Sequence, residues 1–130
     1  MYNTNIKYFS NSLLNWYDSN SRDLPWRKTN NLYKIWLSEV MLQQTRVNTV
    51  IPYYLKWVNK YKSIKSVSEA DEQKLLKLWE GLGFYSRCRN FHKACKIIAN
   101  DYDGEIFSDY QKFRSLPGVG DYIASAVFSI

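Results

Sequence analysis

Leu116-Pro117-Gly118-Val119-Gly120 stands between two stretches that read as helices. The first is short, about 109–115, and the second is apolar, beginning at Asp121 and still helical at Ile130. One proline and two glycines in five residues stop the first helix and let the backbone turn tightly. Helix, LPGVG, helix is a helix-hairpin-helix signature. Its glycines let the backbone approach a phosphate closely. The N–H groups of the Gly118-Val119-Gly120 turn and of the following helix then face an anion. Such a contact positions a nucleic acid without reading its sequence. The plain alternative is an ordinary corner between two helices, so the rest of the chain has to decide.

Upstream, the apolar pattern is helical nearly throughout. Ile6, Phe9, Leu13, Leu14 and Tyr17 predict a first helix over about 4–19. Ser19-Asn20-Ser21 ends it, and the segment through Leu24-Pro25-Trp26-Arg27 reads as extended loop, because Pro25 biases Leu24 away from helix. A second helix is expected over about 31–45, capped by Asn30 or Asn31. A third starts near Val47, with Pro52 placed early in it, where a missing N–H is tolerated. Ser68 with Asp71 or Glu72 opens a fourth, which Gly81 and Gly83 break. A fifth covers about 84–101, and Asp103-Gly104 closes that region. Strand alternation is absent, so the predicted fold class is all-α. The chain stops within an apolar helix, which predicts a truncated domain with an exposed apolar face and marginal stability.

The 130 residues suit one small domain, and 45% are hydrophobic, enough for a real core. A net charge of +6 favours a polyanionic partner, and joined to the hairpin it favours DNA. Aromatic residues reach 17%, more than a core of this size needs, and base stacking would use the surplus. Cys88 and Cys95 are two helical turns apart, about 10 Å along the axis, too far for a disulfide. With His92 as the only histidine they make no metal site, so both read as buried or idle thiols in a reducing compartment. No apolar run spans a membrane and no signal peptide is visible, which predicts a soluble, cytoplasmic protein.

One charged side chain interrupts an apolar helix. Ile35-Trp36-Leu37-Ser38-Glu39-Val40-Met41-Leu42 is apolar except for Ser38 and Glu39. Glu39 lies four residues after Ile35 and three after Trp36, so it shares their face. If that face points inward, desolvation raises the carboxyl pKa and makes a general acid for near-neutral pH. If Glu39 stands at the rim, it is simply solvated. Spacing alone leaves both readings open. Gln43-Gln44-Thr45, at the end of the same helix, suits hydrogen bonding to base edges and suits a solvated helix end equally well.

Three stretches together resemble a known family. They are Trp36-Leu37-Ser38-Glu39-Val40-Met41-Leu42-Gln43-Gln44-Thr45, Gly81-Leu82-Gly83-Phe84-Tyr85-Ser86-Arg87 and Leu116-Pro117-Gly118-Val119-Gly120. They resemble the A/G-specific adenine DNA glycosylases of the MutY type, in the helix-hairpin-helix glycosylase superfamily, and Leu24-Pro25-Trp26-Arg27 fits as well. The resemblance covers about residues 8 to 130. It implies base-excision repair: adenine opposite 8-oxoguanine, or less efficiently guanine, is flipped out of the duplex and its N-glycosidic bond is hydrolysed. The chemistry calls for an acid at the base and a negative group near the sugar, hence two carboxylates with separate roles.

Carried over by position, the resemblance makes Glu39 the catalytic acid and Tyr122 the tyrosine that supports the transition state near the sugar. Trp26 and Arg27 line the adenine pocket. Gln44 wedges into the stack beside the oxidised guanine, with Leu42, Gln43 and Thr45 as neighbours. Gly118, Val119 and Gly120 form the phosphate-binding hairpin. Phe84 stands where the family has a tyrosine that stacks at the lesion; it keeps the ring face and loses one hydrogen bond, ~1 kcal/mol.

The resemblance further implies a catalytic aspartate beyond Ile130, then four cysteines holding a [4Fe-4S] cluster, then a C-terminal domain that checks for 8-oxoguanine. On that reading residues 1–130 are the N-terminal part of the catalytic domain, a truncated helical-barrel module. They act as a monomer on double-stranded DNA carrying A:8-oxoguanine or A:G mispairs. Alone they bind no cofactor and release little or no adenine. The nearest rival is an endonuclease III-like glycosylase/lyase. That family carries a Schiff-base lysine where Tyr122 stands and usually a glutamine where Glu39 stands. A non-catalytic DNA-binding module is the rival from another class.

Overall fold

The computed structural model describes residues 31–102 and 108–129. The helix expected over about 4–19 and the loop with Trp26 and Arg27 lie outside the described residues. Those residues form seven helices and no strand: α1 (Leu32–Leu42), α2 (Val47–Lys60), α3 (Ile64–Ser68), α4 (Glu72–Trp79), α5 (Tyr85–Asp101), α6 (Tyr110–Arg114) and α7 (Gly120–Phe128). The all-α expectation holds. Among the described residues, no helix is long and apolar enough to cross a membrane.

Local chemistry explains the starts. The Asn31 side chain accepts the Lys34 N–H at 3.2 Å and opens α1. Asp71 accepts the Gln73 N–H at 2.8 Å and opens α4. Ser68 does not open that helix; it ends α3, a five-residue turn absent from the sequence reading. There Ser63 and Ser66 cap each other reciprocally, while Ile64 and Val67 are buried. Pro52 lies in the second turn of α2 rather than at its start. It is tolerated because Pro52 and Asn48, whose carbonyl it leaves without a donor, both lie on the exposed face.

Helix α1 runs through the middle and packs against α2, α5 and α7. Its partners meet it with rings. Trp36 contacts Phe91 of α5 at 4.4 Å and Phe113 of α6 edge-on at 5.2 Å. Trp57 meets Trp79 edge-on at 5.8 Å. The buried polar ends are satisfied: Trp57 Nε1 donates to the Tyr33 hydroxyl at 3.0 Å, which donates to the Tyr61 carbonyl at 2.6 Å. Most aromatic rings among the described residues are therefore core or packed against it. Among the described residues, only Leu55, Phe84 and Tyr85 are large apolar side chains left exposed.

The end of α7 departs from expectation. The helix stops at Phe128, with Ser129 in a turn. Ile123, Ala124, Ala126 and Val127 are buried, and the Phe128 ring packs against Tyr110 and Phe113 at 5.4 and 5.7 Å. The exposed apolar face anticipated from the sequence is absent from the described part of this helix, because α1 and α6 cover it.

Candidate active site and nucleic-acid interface

Helices α1 and α7 bring the two expected chemical residues together. Glu39 sits in the last turns of α1 and Tyr122 in the first turn of α7, both half-buried. The Tyr122 hydroxyl donates to Glu39 Oε1 at 3.1 Å, across 83 positions of chain. Desolvation raises the Glu39 carboxyl from its usual range to about 7, and the Tyr122 hydrogen bond pulls the other way without cancelling it. Of the two readings the spacing left open, the apolar setting is the one observed. Ser38 beside it is fully accounted for, donating to the Ile35 carbonyl at 2.7 Å.

The residues after α1 separate by environment. Gln44 is exposed and adopts a left-handed backbone at φ 59°, while Gln43 and Thr45 are half-buried beside it. Thr45 closes the turn, its N–H donating to the Leu42 carbonyl at 3.2 Å. Leu42, expected beside Gln44 at the lesion, presents no side chain at the surface. Its side chain is fully buried in the core, because the helix periodicity places it on the inner face. Phe84 opens α5 with φ 51° and is 58% exposed. Arg87, which the sequence reading left without a role, touches both of these turns; most of its hydrogen-bond partners are backbone carbonyls, which leave no mark in a sequence.

In the hairpin, Gly118 and Gly120 are exposed with φ 75° and 63°. Val119 turns inward: its side chain is buried and its N–H donates to the Leu116 carbonyl at 3.1 Å. The Val119 N–H is thus taken up within the turn, so the expected anion contact has fewer than three consecutive N–H groups to draw on. What remains exposed there is Gly118, Gly120 and Asp121 at the start of α7. Arg114 and Asp121 form an exposed ion pair across the base of the hairpin, which holds the Asp121 carboxyl below its usual range. A cleft of about 220 Å³ lies between the hairpin and the helices, lined in part by Gln43, Arg87, Asn90, Pro117 and Gly118.

Gly118 is required twice over. Its φ is positive, and a Cβ there would lie 2.8 Å from the Asn90 Cβ. Gly83 also has a positive φ (78°) but open space around it. Gly118→Ala is expected to cost about 2–3 kcal/mol and Gly83→Ala about 1–2 kcal/mol. Urea unfolding of the two variants measures the difference, and equal costs would mean that the hairpin yields at Asn90.

Among the described residues, no group of three or more His, Cys, Asp or Glu side chains is placed to hold a metal. Cys88 and Cys95 are free and buried, and burial pushes the Cys88 thiol up to about 12 and the Cys95 thiol upward too. An iron–sulfur cluster needs thiolates, and usually four of them, so these two do not fit.

A family model covers most of the chain. Residues 37–127 match the HhH-GPD superfamily of base excision DNA repair proteins, and the chain belongs to that family. Individual relatives narrow the likeness. The chain is 40% identical over 126 residues to the adenine DNA glycosylase of Buchnera aphidicola from Schizaphis graminum, covering 96% of this chain and 36% of that protein. It is 40% identical over 134 residues to the Homo sapiens adenine DNA glycosylase, covering 96% of this chain and 24% of that one. The chain thus spans about a third or less of the length of these relatives. Among solved structures, a thermostable thymine-DNA glycosylase superposes with a TM-score of 0.76 at 28% identity, covering 97% of this chain and 58% of that chain. A trapped endonuclease III–DNA intermediate gives 0.73 at 21% identity, covering 100% and 60%, a likeness of fold.

Proposed function

We propose that this protein excises adenine from A:8-oxoguanine and A:G mispairs in double-stranded DNA and leaves an abasic site. The observation that carries the reading is the Tyr122–Glu39 hydrogen bond, with the carboxyl raised to about 7. A carboxyl at that value is protonated often enough near neutral pH to act as an acid and is strong enough to give its proton up. Glu39 protonates the flipped adenine at N7. The C1′–N9 bond then breaks, its electron pair leaving with the base. Water adds to the sugar cation at C1′ and loses a proton. Tyr122 holds Glu39 in place and stands where a lyase would need its lysine, so no Schiff base forms and the strand stays intact.

The exposed Gln44 and Phe84 enter the duplex at the lesion, and Gly118, Gly120 and the first turn of α7 hold a phosphate. Residues 1–130 supply the N-terminal part of the catalytic domain. The relatives' names and the +6 charge support this reading. The cation also needs a second carboxylate, the aspartate expected beyond Ile130. The two cysteines present hold no cluster, and no step here uses one.

The test is single-turnover kinetics of the protein at its full gene-encoded length. The substrate is a duplex with one adenine opposite 8-oxoguanine, assayed with and without alkali. Strand breaks only after alkali are expected. Breaks without alkali would point to lyase chemistry. Binding without any base release would leave a non-catalytic DNA-binding relative.

A further inference from the structure

Two non-glycine residues among those described have positive φ, Gln44 and Phe84. Both are exposed, and they lie on different segments, one after α1 and one before α5. A single side chain connects them. Arg87 Nη1 donates to the carbonyls of Val40 at 2.9 Å, Met41 at 3.3 Å and Gln43 at 2.6 Å. Its Nη2 reaches the Thr45 hydroxyl and the Gly83 carbonyl, each at 3.4 Å. The guanidinium also lies 5.2 Å from the Phe84 ring centre and 5.7 Å from that of Trp79.

These contacts share a logic. The last carbonyls of α1 have no partner within the helix and carry its negative end, so a cation there is doubly favoured. Arg87 thereby fixes the residues on both sides of Gln44. Its other branch and its face fix the residue before Phe84 and the Phe84 ring. Trp79 Nε1 donates to the same Gly83 carbonyl at 3.0 Å, and the Arg87 N–H donates to the Phe84 carbonyl at 2.9 Å. The second turn is thus pinned as firmly as the first. Left-handed backbone at a non-glycine residue persists only where the surroundings over-determine it, and such positions gather at functional sites. A lysine has one donor centre and cannot fork between the two turns.

We propose that Arg87 is a positioning residue that locks Gln44 and Phe84 at one fixed separation, so that both enter the mispaired duplex as a preformed pair. This rests on the function proposed above. It adds that the two contacts are one unit, set by a residue that need not touch DNA.

A double-mutant cycle on the full-length protein tests it, with Arg87→Lys and Phe84→Ala. Binding is measured to a duplex with a non-cleavable 2′-fluoro-adenosine opposite 8-oxoguanine, and to the matched A:T duplex. R87K is expected to weaken mispair binding about tenfold and matched binding less than twofold, with base release at saturating DNA changed less than threefold. F84A should cost about tenfold in the wild-type background and less than twofold in R87K, the non-additivity of residues that act as a unit. Multiplying costs, or equal losses on both duplexes, would overturn the proposal and leave Arg87 a stabiliser only. If R87K is unfolded at the assay temperature, Arg87→Gln takes its place in the same cycle. Amide and Cα chemical shifts of DNA-free protein give an independent reading. Gln44 and Phe84 should both move in R87K, and unmoved shifts would sink the clamp. A wild type with no preference for the mispair would instead refute the proposed function, with the shifts still reporting on Arg87.

Discussion

Glu39→Gln is expected to lower single-turnover adenine release by about 10²–10⁴-fold, the usual contribution of a positioned general acid. The substitution is nearly isosteric, and its amide oxygen still accepts from the Tyr122 hydroxyl, so the helices stay in place. The same variant should change stability in a pH-dependent way. The folded carboxyl sits at about 7 and an unperturbed one at about 4.5. Below about 4.5 both states are protonated and the group is neutral to folding. Between the two values the folded state holds more protons than the unfolded one, so wild-type stability falls as pH rises through that window. Above about 7 the wild type carries the full cost of a desolvated carboxylate, at most about 3 kcal/mol. Glutamine does not ionise. E39Q should therefore be more stable than wild type at pH 8 and nearly equal to it at pH 4. Urea unfolding at the two pH values checks this, and an equal gap at both would show that Glu39 is solvated. In the active protein, base release should decline above pH 7 as the acid loses its proton.

Trp36→Ala should cost about 3–5 kcal/mol, a large share of the stability of a small domain. The ring is fully buried and touches Phe91 on α5 and Phe113 on α6 at once. It lies one turn before Glu39, and α6 leads directly into the hairpin. The ring therefore bears on the distance between Glu39 and the hairpin as well as filling the core. Base release should fall at temperatures where W36A is still folded. Trp36→Phe should recover most of both losses, because it keeps a ring between the two phenylalanines. Chemical denaturation and single-turnover rates at 15 °C separate the effects. Loss of stability with an unchanged rate would make Trp36 packing only.

How much of this was legible depends on which physical link each feature rests on. The hairpin was legible because proline and positive-φ glycine are punctuation visible in one dimension. Glu39 was conspicuous as the charge on an apolar helix, but its pKa was not, since its desolvation depends on what packs over it. Tyr122 could be placed only by resemblance, because nothing local marks a residue whose partner is 83 positions away. The turn α3 escaped because five residues are too few for a helical period, and its Ser63–Ser66 box lacks the usual Glu or Gln. Leu42 was placed beside Gln44 by resemblance alone, which says nothing of the helical rotation that turns its side chain inward. Arg87 stood in one of the resembling stretches but had no role there, since most of what it hydrogen-bonds is main chain.

The span between Glu39 and Tyr122 bears on how the protein is made. At ribosomal rates of about 5–20 residues per second, the acid's helix emerges roughly 4–17 seconds before its tyrosine partner. During that interval α2 and α5 can already pack on the acid's helix, but the Tyr122 hydroxyl that holds the carboxyl is missing. The Glu39–Tyr122 pair thus forms only when α7 docks, and a nascent chain that meets DNA early carries a carboxyl not yet held in place.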